Sequence, residues 1–502
     1  MVHFFDLPRE VRDMIYVQYV SIKGGYTHDF DSNTLKGADN TSIDLAFMLT
    51  CKKVAREMKG LALSSNSIYF STSHSAEHQA TAGRFDLLVD ELAFARGVLI
   101  DRIHSDTLSV PHDMWKRLKE AHPRFAPYLD FLQNRRTFRE YRENPISDGL
   151  GPPGCCGEAP SVFRNFVDAV LQDIAANKHR FDAEQLTKFE TAEFGPPPWH
   201  FIHIEMGPIL DVNPNPWAIP TFKPRYSAAA VAIRFLESLT KDSRSSIRNI
   251  VLDEGRAAVG FAESHGLGLI PYCRENLRLR IKRQVSMWRT VFPTTTANGQ
   301  WKGRMSRLMY MDPGLPTMEI SYTVAIWIAE ALELGPAGMP PGSFTLTLEG
   351  DGACSTIFQT VIQRDAAWQT AIDRCMERKM LPRLSWTQWR RDPRNWRTTN
   401  MWYVLEAFPQ AIRDMTTGDS IITSNFELGE AWDVERLVEE NKSWTMQDWE
   451  RAWSIRDIDR FEPDPPSPDW LQLLCENMSQ PGMIRDRIIH ILYNGGTVLA
   501  FS

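Results

Sequence analysis

The sequence predicts an α+β fold, with a helical N-terminal module followed by a mixed α/β body. Three observations carry that reading. Apolar residues recur at spacings of three and four from Leu7 to Ile22. Residues 226–350 alternate helix-like segments with period-two apolar runs. Nine of the 16 Trp residues then crowd between Trp386 and Trp470 at helical spacings.

Taken in order, Leu7, Val11, Met14, Ile15, Tyr19 and Ile22 form one stripe of a first helix. Pro8 suits the first helical turn, where its missing N–H has no partner to lose, and Glu10 favours the positive helix end. A Gly-, Asp- and Asn-rich loop follows over residues 23–42. A second helix is expected over residues 43–63, with Leu45, Met48, Leu49, Val54 and Met58 on one face. The stretch "SIYFST", residues 67–72, alternates as a strand. Residues 83–145 read as charged helices, and "ISDGLGPPGCCGEAP" at 146–160 is the clearest linker. Helix is expected again over 161–192, a short strand in "WHFIHIEMG", and extended chain in "NPNPWAIPTFKP" at 213–224.

The body carries the helix "SAAAVAIRFLESLT", the strands "IRNIVLDE", "LRLRIKRQV" and "FTLTLEGD", and the helix "TVAIWIAEALELG". Helix, polar turn and strand in succession suggest irregular leucine-rich-repeat-like αβ units, with a plain mixed sheet as the other form. The segment "GGTVLAFS" reads as a last short strand. By composition the chain divides into residues 1–75, a helical segment 76–150, an α/β body 161–380 and a Trp-rich helical region 381–502.

Composition narrows the function. Lys plus Arg total 56 against 63 Asp plus Glu, a formal charge of −7, so a dedicated nucleic-acid binder is not expected. The seven Cys include no C-x-x-C pair, which argues against a zinc ribbon and for reduced thiols. Neither a leader-like apolar core nor a stretch able to cross a membrane is evident, so a cytoplasmic or nuclear protein without a membrane partner is expected.

Motifs for chemistry are thin. In "WHFIHIEMG", His203 and Glu205 would share one strand face with His200 on the other, two ligands where a metal site needs more. "DEGRAAVGFAESHGLG" gathers Asp253, Glu254, Glu263 and His265 without a phosphate-loop or dinucleotide fingerprint. "EGDGACS" follows a strand but lacks a nucleophile elbow, so Ser355 reads as a turn residue. In "QRDAAWQ", Trp368 should be buried with Arg364 and Asp365 at the rim. The basic run "RLRIKRQ" should turn its positive side chains to solvent. The Trp cluster reads first as core and second as a ligand groove. His200, His203, Glu205 and His265 stand as pocket candidates, with no cofactor and no metal site expected.

The opening "FDLPREVRDMIY", with "LAFMLTCKKVAREMKGLALSSNSIYFS", resembles the F-box-like N-terminal module of uncharacterised filamentous-fungal protein families. Leu7, Pro8, Glu10, Val11, Arg12, Ile15 and Tyr16 carry the first element of that pattern. Leu49, Thr50, Cys51, Lys52 and Glu57 carry the second, and Asn66, Ile68 and Phe70 the third. The segments 246–281, 338–351 and 361–372 are also similar to those families. The resemblance implies an adaptor for a cullin-type ubiquitin ligase, with Leu7, Pro8, Val11, Ile15 and Tyr16 meeting a Skp-type partner and the body holding an unknown protein substrate. The alternatives are an enzyme of fungal specialised metabolism, with a pocket in the 190–360 body, or a non-catalytic scaffold. Convergence of two or more of His200, His203, Glu205, Asp253, Glu263 and His265 in a lined cavity would favour the enzyme. A broad open surface would favour the binding protein.

Overall fold

The computed structural model describes residues 3–78, 81–86, 88–89, 92, 96, 110–134, 158–176, 197–200, 223–292, 315–383, 403–457, 460–461, 472 and 476. Its frame is a seven-stranded sheet of β1 (Tyr26–Asp29), β2 (Thr34–Gly37), β3 (Ser67–Ser71), β4 (Asn249–Glu254), β5 (Arg280–Ser286), β7 (Phe344–Glu349) and β8 (Ile422–Ser424). The short β6 (Leu315–Pro316) pairs apart from it with β9 (Arg460–Phe461). The order across the sheet is β2-β1-β3-β4-β5-β7-β8. Only β2 runs antiparallel, joined to β1 by a hairpin that turns at Asn33, with φ of 51°. From β1 onward every neighbour is parallel and the strands follow chain order.

That order has a physical consequence. Parallel neighbours need crossovers, and crossovers of one hand between strands marching one way all fall on the same face. The helices obey this. Besides the N-terminal α1 (Arg9–Val20), α2 (Lys52–Glu57) and α3 (Leu61–Ser65), the chain forms α4 (His112–Ala121), α5 (Ala126–Asn134) and α6 (Pro160–Ala176). Next come α7 (Ala228–Ser238), α8 (Lys241–Ser246), α9 (Ile270–Glu275) and α10 (Thr317–Glu333). Then follow α11 (Gly352–Ile357), α12 (Gln363–Glu377), α13 (Phe408–Thr417), α14 (Val434–Glu440) and α15 (Met446–Asp457).

One continuous core joins α7, α10, α13 and the 3₁₀ run Ala262–Leu269 to the inward side chains Ile68, Phe70, Ile250, Leu252, Ile281, Val285, Leu346, Leu348 and Ile422. On β3, β4 and β5 every second residue turns the other way: Ser67, Tyr69 and Ser71, Asn249, Val251 and Asp253, Arg280, Lys282 and Gln284. Register lines these up, with Tyr69 opposite Val251, Val251 opposite Lys282 and Lys282 opposite Thr345. The sheet thus has an apolar face under helices and a polar face that alternation leaves outward. The intervals between strands are unequal, so the αβ units march in one direction without a repeat period.

Besides the small core under α1, two satellite cores pack beside the main one. Met114, Trp115, Leu118, Tyr128 and Leu129 of α4 and α5 pack on Phe163, Phe166 and Val170 of α6. Trp368, Ile372 and Cys375 of α12 pack on Val438, Trp449 and Trp453. The second core crosses the boundary expected at residue 381, because Trp368 stands 5.1 Å from Trp449 in an edge-to-face contact.

Several sequence expectations meet corrections here. The loop 23–42 contains the β1–β2 hairpin, whose short polar strands give no apolar alternation to read. The expected helix 43–63 breaks into a turn at 46–49 and then α2 and α3. Asp44 caps the turn through the Ala46 N–H at 2.8 Å, and Cys51 in extended conformation caps α2. Arg283 faces inward rather than to solvent, and Asp365 is fully buried rather than at a rim, accepting from Ser321 Oγ at 2.5 Å. Trp386, Trp389, Trp396, Trp402, Trp470, Cys155, Cys156, Cys475, all of the strand expected in "WHFIHIEMG" after His200 and the final "GGTVLAFS" lie outside the described residues.

Candidate functional site

The N-terminal motif separates into two faces of α1. Arg12, Tyr16 and Val20, four residues apart, are buried against Val54 and Met58. Arg12 donates to both oxygens of Glu57 at 2.9 and 3.0 Å and to the Leu7 carbonyl at 2.6 Å. Tyr16 Oη donates to Glu57 at 2.7 Å. These bonds, the Arg12 ones first, hold the Glu57 carboxyl down at about 2. Burial first, then the Glu57 bond, pushes the Tyr16 phenol up to about 12. The motif's Arg, Tyr and Glu therefore staple the module to itself. Tyr16, expected at the partner surface, belongs to this staple and is 0% exposed.

The other face stays open. Val11, Met14, Ile15, Val17 and Tyr19 are 39, 72, 38, 40 and 37% exposed. Pro8 is exposed and Leu7 half-buried, the Pro at the N-cap rather than inside the first turn. The turn carrying Leu45 and Leu49, 46 and 78% exposed, is held beside this ridge by Phe47, whose ring lies 5.2 Å from Tyr19. The fold thus buries one face of α1 and leaves a contiguous apolar ridge in water. Sequence periodicity could not choose between the faces, since Arg12 and Glu57 read as solvent residues until their pairing is known.

Among the described residues, the pocket candidates His200, Asp253 and His265 differ in burial and in the face they occupy. His200 is exposed, and His203 and Glu205 lie outside the described residues. His265 is 1% exposed and sits between the Ser227 Oγ at 2.6 Å and the Gly260 carbonyl at 2.6 Å. Ser227 is also the cap of α7, accepting from the Ala230 N–H at 3.0 Å. Burial drives the imidazole down to about 3, so it is neutral and locks two loops together. Gly260 has φ of +76°, and a Cβ there would meet the Pro198 carbonyl at 2.7 Å, so this loop passes closely under residues 197–200. Asp253 points to the polar face of the sheet while its neighbour Glu254 points under the helices, so Asp253 and His265 stand on opposite sides.

Glu254 is the centre of a closed polar network. It accepts from the Ala228 and Ala229 N–H groups at 2.9 and 3.2 Å, at the start of α7. Arg283 donates to it twice, at 2.8 and 3.0 Å, and also to the Ala262 and Glu263 carbonyls. Nearby, Glu330 accepts from the Ser161 N–H and Oγ at 2.7 and 2.5 Å, and burial raises it to about 7. All partners are internal, which is the arrangement of a structural network.

A different cluster lies at the carboxyl edge of the parallel strands. Arg256 follows β4, and Arg289 sits in a π-helical turn, Met287–Val291, directly after β5. With Arg225 they surround Glu476. Neither position advertises itself in sequence, because the three arginines are far apart in the chain. Among the described residues, no group of three or more His, Cys, Asp or Glu can hold a metal ion, and no helix is long and apolar enough to cross a membrane. The fold and these surfaces define a one-directional α+β sheet protein with an accessible apolar ridge. No protein-family model, curated protein or solved structure matches the chain.

Proposed function

We propose that the chain is a protein-interaction subunit whose N-terminal ridge docks a Skp-type adaptor of a cullin-type ubiquitin ligase, while the body receives a protein substrate. Such a role places it in the cytoplasm or nucleus. The observation that supports the reading is the division of α1, whose inner face is saturated by Glu57 while Val11, Met14 and Ile15 remain outward. Their exposures of 39, 72 and 38% amount to roughly one and a half side chains still to be buried. At ~1.5–3 kcal/mol per side chain, a partner groove gains ~2–4 kcal/mol before ordering costs. The polar outward face of the sheet suits the broad, wet contact of a substrate.

The test is co-purification with the host's Skp-type adaptor. Met14→Asp, and separately Leu7→Ala with Pro8→Ala, should abolish capture while the unfolding transition stays in place. Undiminished capture by both variants overturns the proposal.

A further inference from the structure

The basic run at residues 278–284 divides on the sheet. Arg283 turns inward to Glu254, while Arg278, Arg280 and Lys282 are exposed. Arg280 heads β5, and its N–H donates to the Arg248 carbonyl at 2.7 Å, which sets Arg248 beside it at the amino edge of β4. This edge is braced from inside. Asn276, 7% exposed, donates from Nδ2 to the Arg244 and Ile247 carbonyls at 3.0 and 2.7 Å, and so clasps the turn before β5 to the turn before β4. Its Oδ1 accepts from the Arg278 N–H at 3.2 Å. Leu277, between the two ends of that bond, is held outward and is 67% exposed.

The guanidinium groups are set as well. Arg248 donates to the Ser245 and Ile247 carbonyls at 2.7 and 3.0 Å, and Arg280 to the Leu277 and Leu279 carbonyls at 2.8 and 2.9 Å, each through Nη1. The remaining N–H groups of both forks are left for an acceptor. Acids nearby in the chain are engaged elsewhere: Glu275 by Arg244 at 2.8 Å and Asp242 by Lys59 at 2.9 Å. Among the described residues, no carboxylate forms an ion pair with Arg248, Arg278, Arg280 or Lys282. Asp253 and Glu349 stand at the other end of the same strands, level with Gln284 and Ser286. Four cations thus share one edge without a counter-charge, in a chain of formal charge −7. Screening confines their field to about 8 Å at physiological salt. A short segment laid on this edge meets the four cations alone, whereas a long polyanion or an anionic bilayer also meets the acidic remainder. One exposed Leu is too little apolar surface to hold a bilayer.

We propose that the amino edge of β4 and β5 docks an acidic peptide segment, with Arg248, Arg278, Arg280 and Lys282 taking its carboxylates and Leu277 covering an apolar side chain among them. This names the chemistry of the segment received by the body. It rests on reading the body as a binding surface and is independent of the adaptor contact at α1.

The experiment titrates the full chain with a short fluorescein-labelled peptide of Asp and Glu around one central Leu, and with its Asn and Gln counterpart. Fluorescence anisotropy is read at low and at physiological salt. The acidic peptide should bind, lose about tenfold in affinity between the two salt conditions, and exceed the amide peptide by about tenfold. Arg278→Glu with Lys282→Glu alters two exposed side chains that make no internal bond and should abolish binding. Leu277→Ala should weaken it without changing the salt dependence. The proposal is overturned if the acidic peptide binds no better than the amide peptide, or if the charge-reversed protein binds it unchanged. Should charge reversal unfold the chain, Arg278→Gln with Lys282→Gln takes its place, and undiminished binding is again the refuting result. Tighter binding of phosphatidylserine vesicles or duplex DNA, lost in the same variant, assigns the edge to another partner and equally overturns the proposal. Adaptor capture is read on the same proteins: capture without peptide binding refutes only this proposal, and peptide binding without capture refutes only the adaptor reading.

Discussion

Lowering the pH from 7 to 4.5 sets two buried groups of this protein against each other. His265 titrates at 6.5 when unfolded and at about 3 in the fold, held neutral by burial between Ser227 and Gly260. A depressed folded value means that its stability is complete above 6.5 and is lost as pH falls toward 3. Each unit is about 1.4 kcal/mol, so by pH 4.5 the loss is roughly 2–3 kcal/mol. Glu330 runs the other way. Its value rises from 4.5 to about 7, so it favours the fold fully below 4.5 and ceases to do so as pH rises through 7. Over the same window it gains roughly what His265 loses. Wild type should therefore show a shallow dependence that hides two steep ones.

Urea unfolding at pH 7.0, 5.5 and 4.5 separates them. The gap between His265→Gln and wild type should shift by roughly 2–3 kcal/mol in the variant's favour on acidification. The corresponding gap for Glu330→Gln should shift by a similar amount against it. Any constant cost of either substitution cancels in these differences. The reasoning fails if both variants track wild type within about 0.5 kcal/mol across the window.

Arg12→Ala should lower the unfolding midpoint and raise hydrogen exchange in α1 and α2, whereas Met14→Asp should do neither; equal exchange in the two variants would refute the division of faces. Because the Glu57 carboxyl sits at about 2, that staple should be intact above its ordinary value of 4.5 and fail as pH falls toward 2. Arg283→Met strands a buried carboxylate and should cost about 3–5 kcal/mol in urea unfolding, with Glu254→Gln added to it recovering part of the loss. Trp449→Ala empties the core shared with Trp368 and should cost ~3–5 kcal/mol, read from denaturation and from loss of near-UV dichroism.

Much of the fold was legible in residues alone. The strands near "IRNIVLDE", "LRLRIKRQV" and "FTLTLEGD" were readable because alternation of apolar and polar residues is a local signal. The helices α7 and α10 were readable because long apolar runs without Gly or Pro are a local signal too. The β1–β2 hairpin and β8 were not, because Tyr26–Asp29, Thr34–Gly37 and Ile422–Ser424 are too short and too polar to alternate. Their pairing is decided by neighbours in the sheet.

The sequence by itself determined the apolar stripe of α1, the run of αβ units and the clustering of Trp. Only the tertiary structure decided which face of α1 is spent inside. A Glu 45 residues beyond Arg12 had to arrive beside it before that arginine and Tyr16 could be buried. The same holds for the arginines around Glu476, brought together across 251 residues of chain. Charge pairing at long range carries no local period. It is settled by which strands become neighbours, and that is a property of the folded sheet.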